Sequence, residues 1–148
     1  MTQINPYLLF NGNCKEAFLF YKSVFGGEFT YESTFGDMPG DTSALAEEDK
    51  GKLMHISLPI GDAVELMGSD AMPGKSKADF GNSISLSIHP KSEEEADRIF
   101  TTISDGGEIA MPLSKTFWNA YFGMCTDKFG IHWMINYSYE GNGYDVKN

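Results

Sequence analysis

Three side chains in this sequence could converge to hold a divalent ion or move a proton: His55, Glu65 and His132. One carboxylate with two imidazoles is a donor set suited to zinc or a similar ion. His55 and Glu65 fall on two strand-like segments, Leu53 to Ile60 and Ala63 to Met67. A three-residue turn at Ile60-Gly61-Asp62 puts both on one face. Ile56 then opposes Leu66 and Leu58 opposes Val64 on the buried side, while Ser57 opposes Glu65 and His55 opposes Met67 on the other. A two-residue loop would reverse part of this assignment. His132 lies two residues before Met134 and shares its face. The plainer reading is that each histidine satisfies a local hydrogen bond and that Glu65 pairs with Ser57 or water. His89, next to Pro90, reads as a surface turn residue.

The run Ser83-Ile84-Ser85-Leu86-Ser87-Ile88 alternates strictly. Such a strand packs Ile84, Leu86 and Ile88 on a helix and presents three hydroxyls to water or a cavity. Two long loops, Gly36 to Gly51 and Gly68 to Gly81, each contain a Met-Pro-Gly triplet; loops of that length are often binding loops or lids. Met38, Met72, Phe80, Trp118 and Tyr121 offer an adaptable apolar lining for a small ligand, and would serve equally as core or interface. Cys14 at a helix start reads as a small buried residue rather than an activated thiol. No GxSxG, Walker or GxGxxG pattern is present, so neither an elbow nucleophile nor a nucleotide cradle has support.

The chain that must position these groups has 148 residues, enough for a single domain over 1–148 with its own core. Eleven basic and twenty-one acidic residues give a formal charge of -10, which repels phosphate backbones and anionic lipid and argues against a nucleic-acid partner. Lys75 and Lys77 form no more than a solvated turn. The opening MTQINPYLLF lacks the pattern of a signal peptide, and no apolar run approaches a membrane span. Two cysteines without CxxC spacing fit free thiols, and so a cytoplasmic location.

From Asn13 the chain reads as a capped helix with apolar positions at Ala17, Phe18, Tyr21, Val24 and Phe25, stopping at Gly26-Gly27. The pattern returns 79 residues on: Ser92 for Asn13, Glu95 for Glu16, then Ala96, Ile99, Phe100 and Ile103, with a stop at Gly106-Gly107. That recurrence reads as a duplication. Each helix follows an extended segment, Ile4 to Phe10 or Ser83 to Ile88. Each precedes three more: Glu28 to Phe35, Leu53 to Ile60 and Ala63 to Met67 in one half, Glu108 to Leu113, Trp118 to Thr126 and Ile131 to Tyr137 in the other. The expectation is an α+β fold of two βαβββ modules, 3–68 and 82–137, followed by a flexible tail over 138–148.

This doubled unit, with FYKSVFGGEF in its first half and FWNAYFGMCTDKFGIHWMINY near its end, resembles the vicinal oxygen chelate superfamily of glyoxalases, bleomycin-resistance proteins and dioxygenases. Trp118, Gly123, Asp127, Phe129, Gly130, Trp133 and Asn136 carry the resemblance to its PhnB-like branch. It implies curled mixed sheets around a cavity between the modules, a small-molecule ligand there and a homodimer. In metal-dependent members four side chains hold one divalent ion. Those positions fall here on Pro6, Glu65, Ser83 and Met134, of which only Glu65 is a suitable ligand. The resemblance therefore implies a binding protein without the usual metal and with no cofactor. Ser57, Glu65, Ser83, Ser85, Trp118, Tyr121, His132 and Met134 are its candidate ligand contacts. The alternatives are a lyase, isomerase or dioxygenase with a divalent metal on Glu65 and His55 or His132, and an interaction module working through its dimer surface. The methyltransferase label borne by some relatives finds no glycine-rich strand-to-helix turn to hold a methyl-donor nucleotide.

Overall fold

A computed structural model describes residues 1–75 and 77–139. In chain order its elements are β1 (Tyr7–Phe10), α1 (Cys14–Phe25), β2 (Tyr31–Thr34), a 3-10 turn (Phe35–Asp37), the short α2 (Glu47–Lys50), β3 (Leu53–Ile60) and β4 (Val64–Asp70). There follow β5 (Leu86–Ile88), α3 (Glu93–Ser104), β6 (Glu108–Lys115), β7 (Ala120–Thr126) and β8 (His132–Ser138). The chain divides into two units, Met1–Asp79 and Phe80–Asn148. Each holds one open four-stranded mixed sheet, ordered β1-β4-β3-β2 in the first and β5-β8-β7-β6 in the second. Strand, helix and three strands thus occur twice in the same arrangement, as the duplicated pattern predicts. No helix among the described residues is long and apolar enough to cross a membrane.

In the first unit α1 buries Cys14, Ala17, Phe18, Tyr21 and Val24. Ile56, Leu58 and Leu66 are buried on β3 and β4, the strands on which the helix packs. A fully buried aliphatic or aromatic side chain contributes about 1.5–3 kcal/mol, so this face is a large source of the unit's stability. Gly68 permits the close approach: a Cβ there would lie 2.7 Å from the Phe18 ring and 2.8 Å from the Leu8 carbonyl oxygen. In the second unit α3 buries Ala96, Ile99, Phe100 and Ile103, and Cys125, Trp133 and Ile135 are buried on the strands it meets.

The β3–β4 hairpin pairs Ile60 with Val64 across Gly61-Asp62-Ala63, and Leu58 with Leu66. Its partners are shifted by two residues from those the sequence predicts. A shift of two preserves the faces, so His55, Ser57, Glu65 and Met67 remain together opposite the buried Ile56, Leu58 and Leu66.

Several strand bounds differ from the sequence pattern. β1 begins at Tyr7 because Pro6 has no N–H to donate, although its carbonyl accepts the Met67 amide at 3.0 Å. β2 stops where Phe35–Asp37 turns, with Asp37 accepting the Thr34 amide at 2.9 Å. β5 begins at its pairing with Trp133, leaving Ser83 and Ser85 outside the ladder and Ile84 75% exposed; Ile84 is therefore not on the helix. Ser138 belongs to β8, and the Tyr139 hydroxyl donates to Glu93, so these two residues are structured rather than part of a tail. The remainder of that segment, 140–148, lies outside the described residues.

Ser92 caps α3 by accepting the Glu95 amide at 3.1 Å, and Glu95 returns to the Lys91 amide at 2.7 Å. Asn13 makes no side-chain cap bond. The start of α1 is held instead by Asp70, whose Oδ1 accepts the amides of Gly12 (2.8 Å) and Cys14 (3.0 Å) while Oδ2 accepts that of Leu53 (2.9 Å). A carboxylate from the end of β4 thus satisfies amides that the helix cannot satisfy itself.

Candidate functional site

Cross-strand pairing sets Tyr7 beside Met67, Met67 beside Ser57, and Ser57 beside Tyr31. These four residues form one row over all four strands, on the face of the first sheet turned away from α1. His55 pairs with Ser33 on the same face. Its Nδ1 lies 3.1 Å from the Tyr7 hydroxyl, and its ring centroid is 5.5 Å from those of both Tyr7 and Tyr31. His55 Nε2 has no hydrogen-bond partner among the described residues. The tyrosine contact occupies one ring nitrogen and leaves the other for a ligand.

Glu65 lies on this face at the next position outward. Its Oε1 accepts the Thr30 hydroxyl at 2.9 Å, and its amide donates to Asn5 Oδ1 at 3.1 Å. The nearby Ser57 hydroxyl and then that of Thr30, with a smaller contribution from His55, hold the Glu65 carboxyl below the usual range, against a weaker desolvation effect. Glu65 is accordingly ionised near neutral pH. Ser57 lies beside the carboxylate without full hydrogen-bond geometry: its Oγ, like that of Ser33, is buried and unpartnered. Buried hydroxyls are ordinarily satisfied, and these two flank His55. The face therefore combines two exposed tyrosine rings, a histidine with a free nitrogen, an anion and two unsatisfied hydroxyls.

In the second unit, the face away from α3 carries Ser87, Met134, Met124 and Met111 in one row. His132 shares that face, but both its ring nitrogens are engaged: Nδ1 with the Thr126 hydroxyl and Nε2 with the Gly81 carbonyl, each at 2.8 Å. In the neutral ring Nε2–H donates to Gly81 and Nδ1 accepts from Thr126. Trp118 sits in the turn before β7, half-exposed and edge-on to Phe122 at 5.6 Å. Tyr121 stands on the opposite face, where its hydroxyl donates to Asp97 of α3 at 2.7 Å. Strand alternation requires this, because buried Gly123 and Cys125 share its side. Ser83 and Ser85 are exposed in the segment leading into β5.

Of the sequence candidates, the structure thus brings Ser57, Glu65 and His55 together, and separately puts His132 and Met134 on one face. It adds Tyr7, Tyr31, Thr30 and Ser33. Alternation along Tyr31-Glu32-Ser33 was the available signal for two of these.

The positions that the family resemblance assigns to a glyoxalase-type metal are Pro6, Glu65, Ser83 and Met134. Pro6 offers no side-chain donor, Ser83 a neutral hydroxyl and Met134 a soft thioether, leaving Glu65 as the one good ligand for a hard or borderline ion. Among the described residues no three His, Cys, Asp or Glu side chains are grouped to hold a metal.

Residues 2–136 match the family model described as 3-demethylubiquinone-9 3-methyltransferase. Protein YjdN of Escherichia coli is 36% identical over 139 residues, covering 90% of this chain and 93% of that protein. The crystal structure of protein PA1353 from Pseudomonas aeruginosa is 41% identical with a TM-score of 0.82, covering 93% of this chain and 98% of its own. A putative 3-demethylubiquinone-9 3-methyltransferase, PhnB protein, from Bacillus cereus is 26% identical with a TM-score of 0.72, over 93% and 100% of the two chains. More distant structures, among them a glyoxalase-related enzyme from Fulvimarina pelagi, share the fold.

Proposed function

The chain belongs to the PhnB-like family described as 3-demethylubiquinone-9 3-methyltransferase, with the glyoxalase/bleomycin-resistance fold, and on that basis we propose that it binds a small organic molecule on the Tyr7–His55–Tyr31 face of the first sheet. The observation that carries this reading is the pair of buried, unpartnered hydroxyls, Ser33 and Ser57, on either side of His55. A ligand reaching them would satisfy both while stacking on the tyrosines and meeting His55 Nε2. Ionised Glu65 favours a hydrogen-bond donor or a cationic group at one end. The reading needs neither a metal nor another cofactor, and it carries forward the homodimer that the family resemblance implies.

Methyl transfer receives no support from the α1 start. The Gly12 and Cys14 amides, which could otherwise hold a donor's carboxylate or phosphate, are taken by Asp70.

A library of neutral and cationic small molecules, screened by ligand-observed NMR on the full chain, tests the proposal. Saturable hits that compete with one another and weaken in both His55→Phe and Tyr31→Ala are expected. No saturable hit, or hits indifferent to both substitutions, would overturn it. Turnover of a hit that depends on added metal and is lost in Glu65→Ala would replace it with the metal-dependent enzyme.

A further inference from the structure

Met134 of β8 stands opposite Met124 of β7, and Met124 opposite Met111 of β6. Three thioethers from three adjacent strands therefore line one row, with Ser87 of β5 beside Met134. Directly opposed residues have Cβ atoms about 5 Å apart, and the long unbranched methionine side chain lets each sulfur swing toward its neighbours.

The row depends on an irregularity in β6. Ile109 pairs with Cys125, so an unbroken ladder would set Ala110 against Met124 and turn Met111 toward Gly123, on the α3 side. The register shift between Ile109 and Met111 brings Met111 opposite Met124 instead. A second shift follows before Ser114, and Pro112, which has no N–H for a ladder, sits within it. Bulges of this kind re-aim side chains and recur beside functional sites. Met111 is 43% exposed, and Met124 and Met134 are half-buried, so solute can reach the row.

The row contains no carboxylate or imidazole, and both nitrogens of nearby His132 are already bonded. Neutral, soft sulfur donors discriminate against Mg, Ca and Mn and select monovalent copper. We propose that Met111, Met124 and Met134 form a soft-metal site that takes Cu(I). The proposal stands independently of ligand binding on the first sheet.

Anaerobic Cu(I) titrated into the full chain against a chromogenic Cu(I) chelator provides the test, with Ag(I) as a redox-silent probe. The expected result is one equivalent per chain, weakened at least about tenfold by Met124→Leu and abolished in the triple variant M111L/M124L/M134L. Met72→Leu, outside the sheet, should bind as the wild type does. Leucine keeps the side-chain volume close to that of methionine, and thermal melting checks that each variant is folded. The two cysteines and three histidines remain in every variant, so copper retained by the folded triple variant would be held by donors outside the row and would overturn the proposal. Failure of the wild type to bind one equivalent in competition with the chelator would overturn it too.

Discussion

Asp127 Oδ2 accepts the indole N–H of Trp133 at 2.8 Å, and both residues are buried. The other carboxylate oxygen accepts the amides of Phe129 at 2.8 Å and Ile131 at 3.1 Å. One side chain therefore shapes the β7–β8 turn and fastens it to the core. Asp127→Ala leaves three donors, two of them buried, without this acceptor and should destabilise the chain by on the order of 3 kcal/mol. Asp127→Asn, which sets an amide nitrogen or a reoriented oxygen against these donors, should cost less. Chemical denaturation followed by tryptophan fluorescence checks both.

Glu65 gives stability a defined dependence on pH. Its folded-state carboxyl titrates below the ordinary glutamate value because of the hydroxyls around it. That contribution is fully present above the ordinary value and is lost as pH falls through the folded one. Asp37 and Asp41, lowered by hydrogen bonds from Thr34 and Ser43, act in the same direction. Melting temperature measured against pH should fall on the acid side, and Glu65→Gln should flatten part of that slope without changing it above neutrality.

Both thiols should be inert in the folded chain. Burial, with the Asp70 charge second, pushes Cys14 far up, and burial with Asp127 second pushes Cys125 up to about 11. Because the thiolate is the reactive form, a chromogenic disulfide reagent at mildly alkaline pH should react at the rate of opening and be accelerated by denaturant. Fast stoichiometric labelling of the native chain would show that the thiol concerned, Cys14 at the helix start or Cys125 on β7, is open to solvent.

Zinc should neither bind stoichiometrically nor raise the melting temperature. Binding through His132 would first break its contacts with Thr126 and Gly81, and Glu65 with His55 makes a pair rather than a complete donor set. Calorimetric titration with zinc, and repetition on Glu65→Ala, checks this. A tight site removed by that substitution would restore the metal-dependent reading.

Gly68→Ala should destabilise the first unit by about 1–3 kcal/mol. The added methyl meets the Leu8 carbonyl as well as the Phe18 ring, so a ring rotation alone cannot relieve it. Phe18→Leu should recover part of the loss in a double-mutant cycle.

The doubled architecture, both long helices and the partition of the β3–β4 hairpin into two faces were legible because periodicities of two and about 3.6 survive small errors of register. The Ser92–Glu95 cap was legible because it is local. Asn13 misled for the complementary reason: a better acceptor, Asp70, arrives from a strand end 57 positions away, and sequence adjacency says nothing of it. Tyr121 could have been assigned to the α3 side from its alternation with Gly123 and Cys125. The β6 irregularities left only Pro112 as a trace, so the methionine row was hidden. Of the candidate site, the Glu65–His55–Ser57 grouping followed from alternation. The tyrosines on β1 and β2 required the pairing of edge strands, which depends on the whole sheet.

In both units the first strand pairs in parallel with the last, Tyr7 with Met67 and Leu86 with Trp133. On the ribosome, residues 7–10 emerge early and have no ladder to join until β4 has been made, whereas β3 and β4 can zip locally across their hairpin. Closing the wide loop between β1 and β4 carries an entropic penalty that the hairpin avoids. Each half is therefore expected to finish folding at its own beginning, with a short, waiting strand exposed until then to capture by another nascent chain.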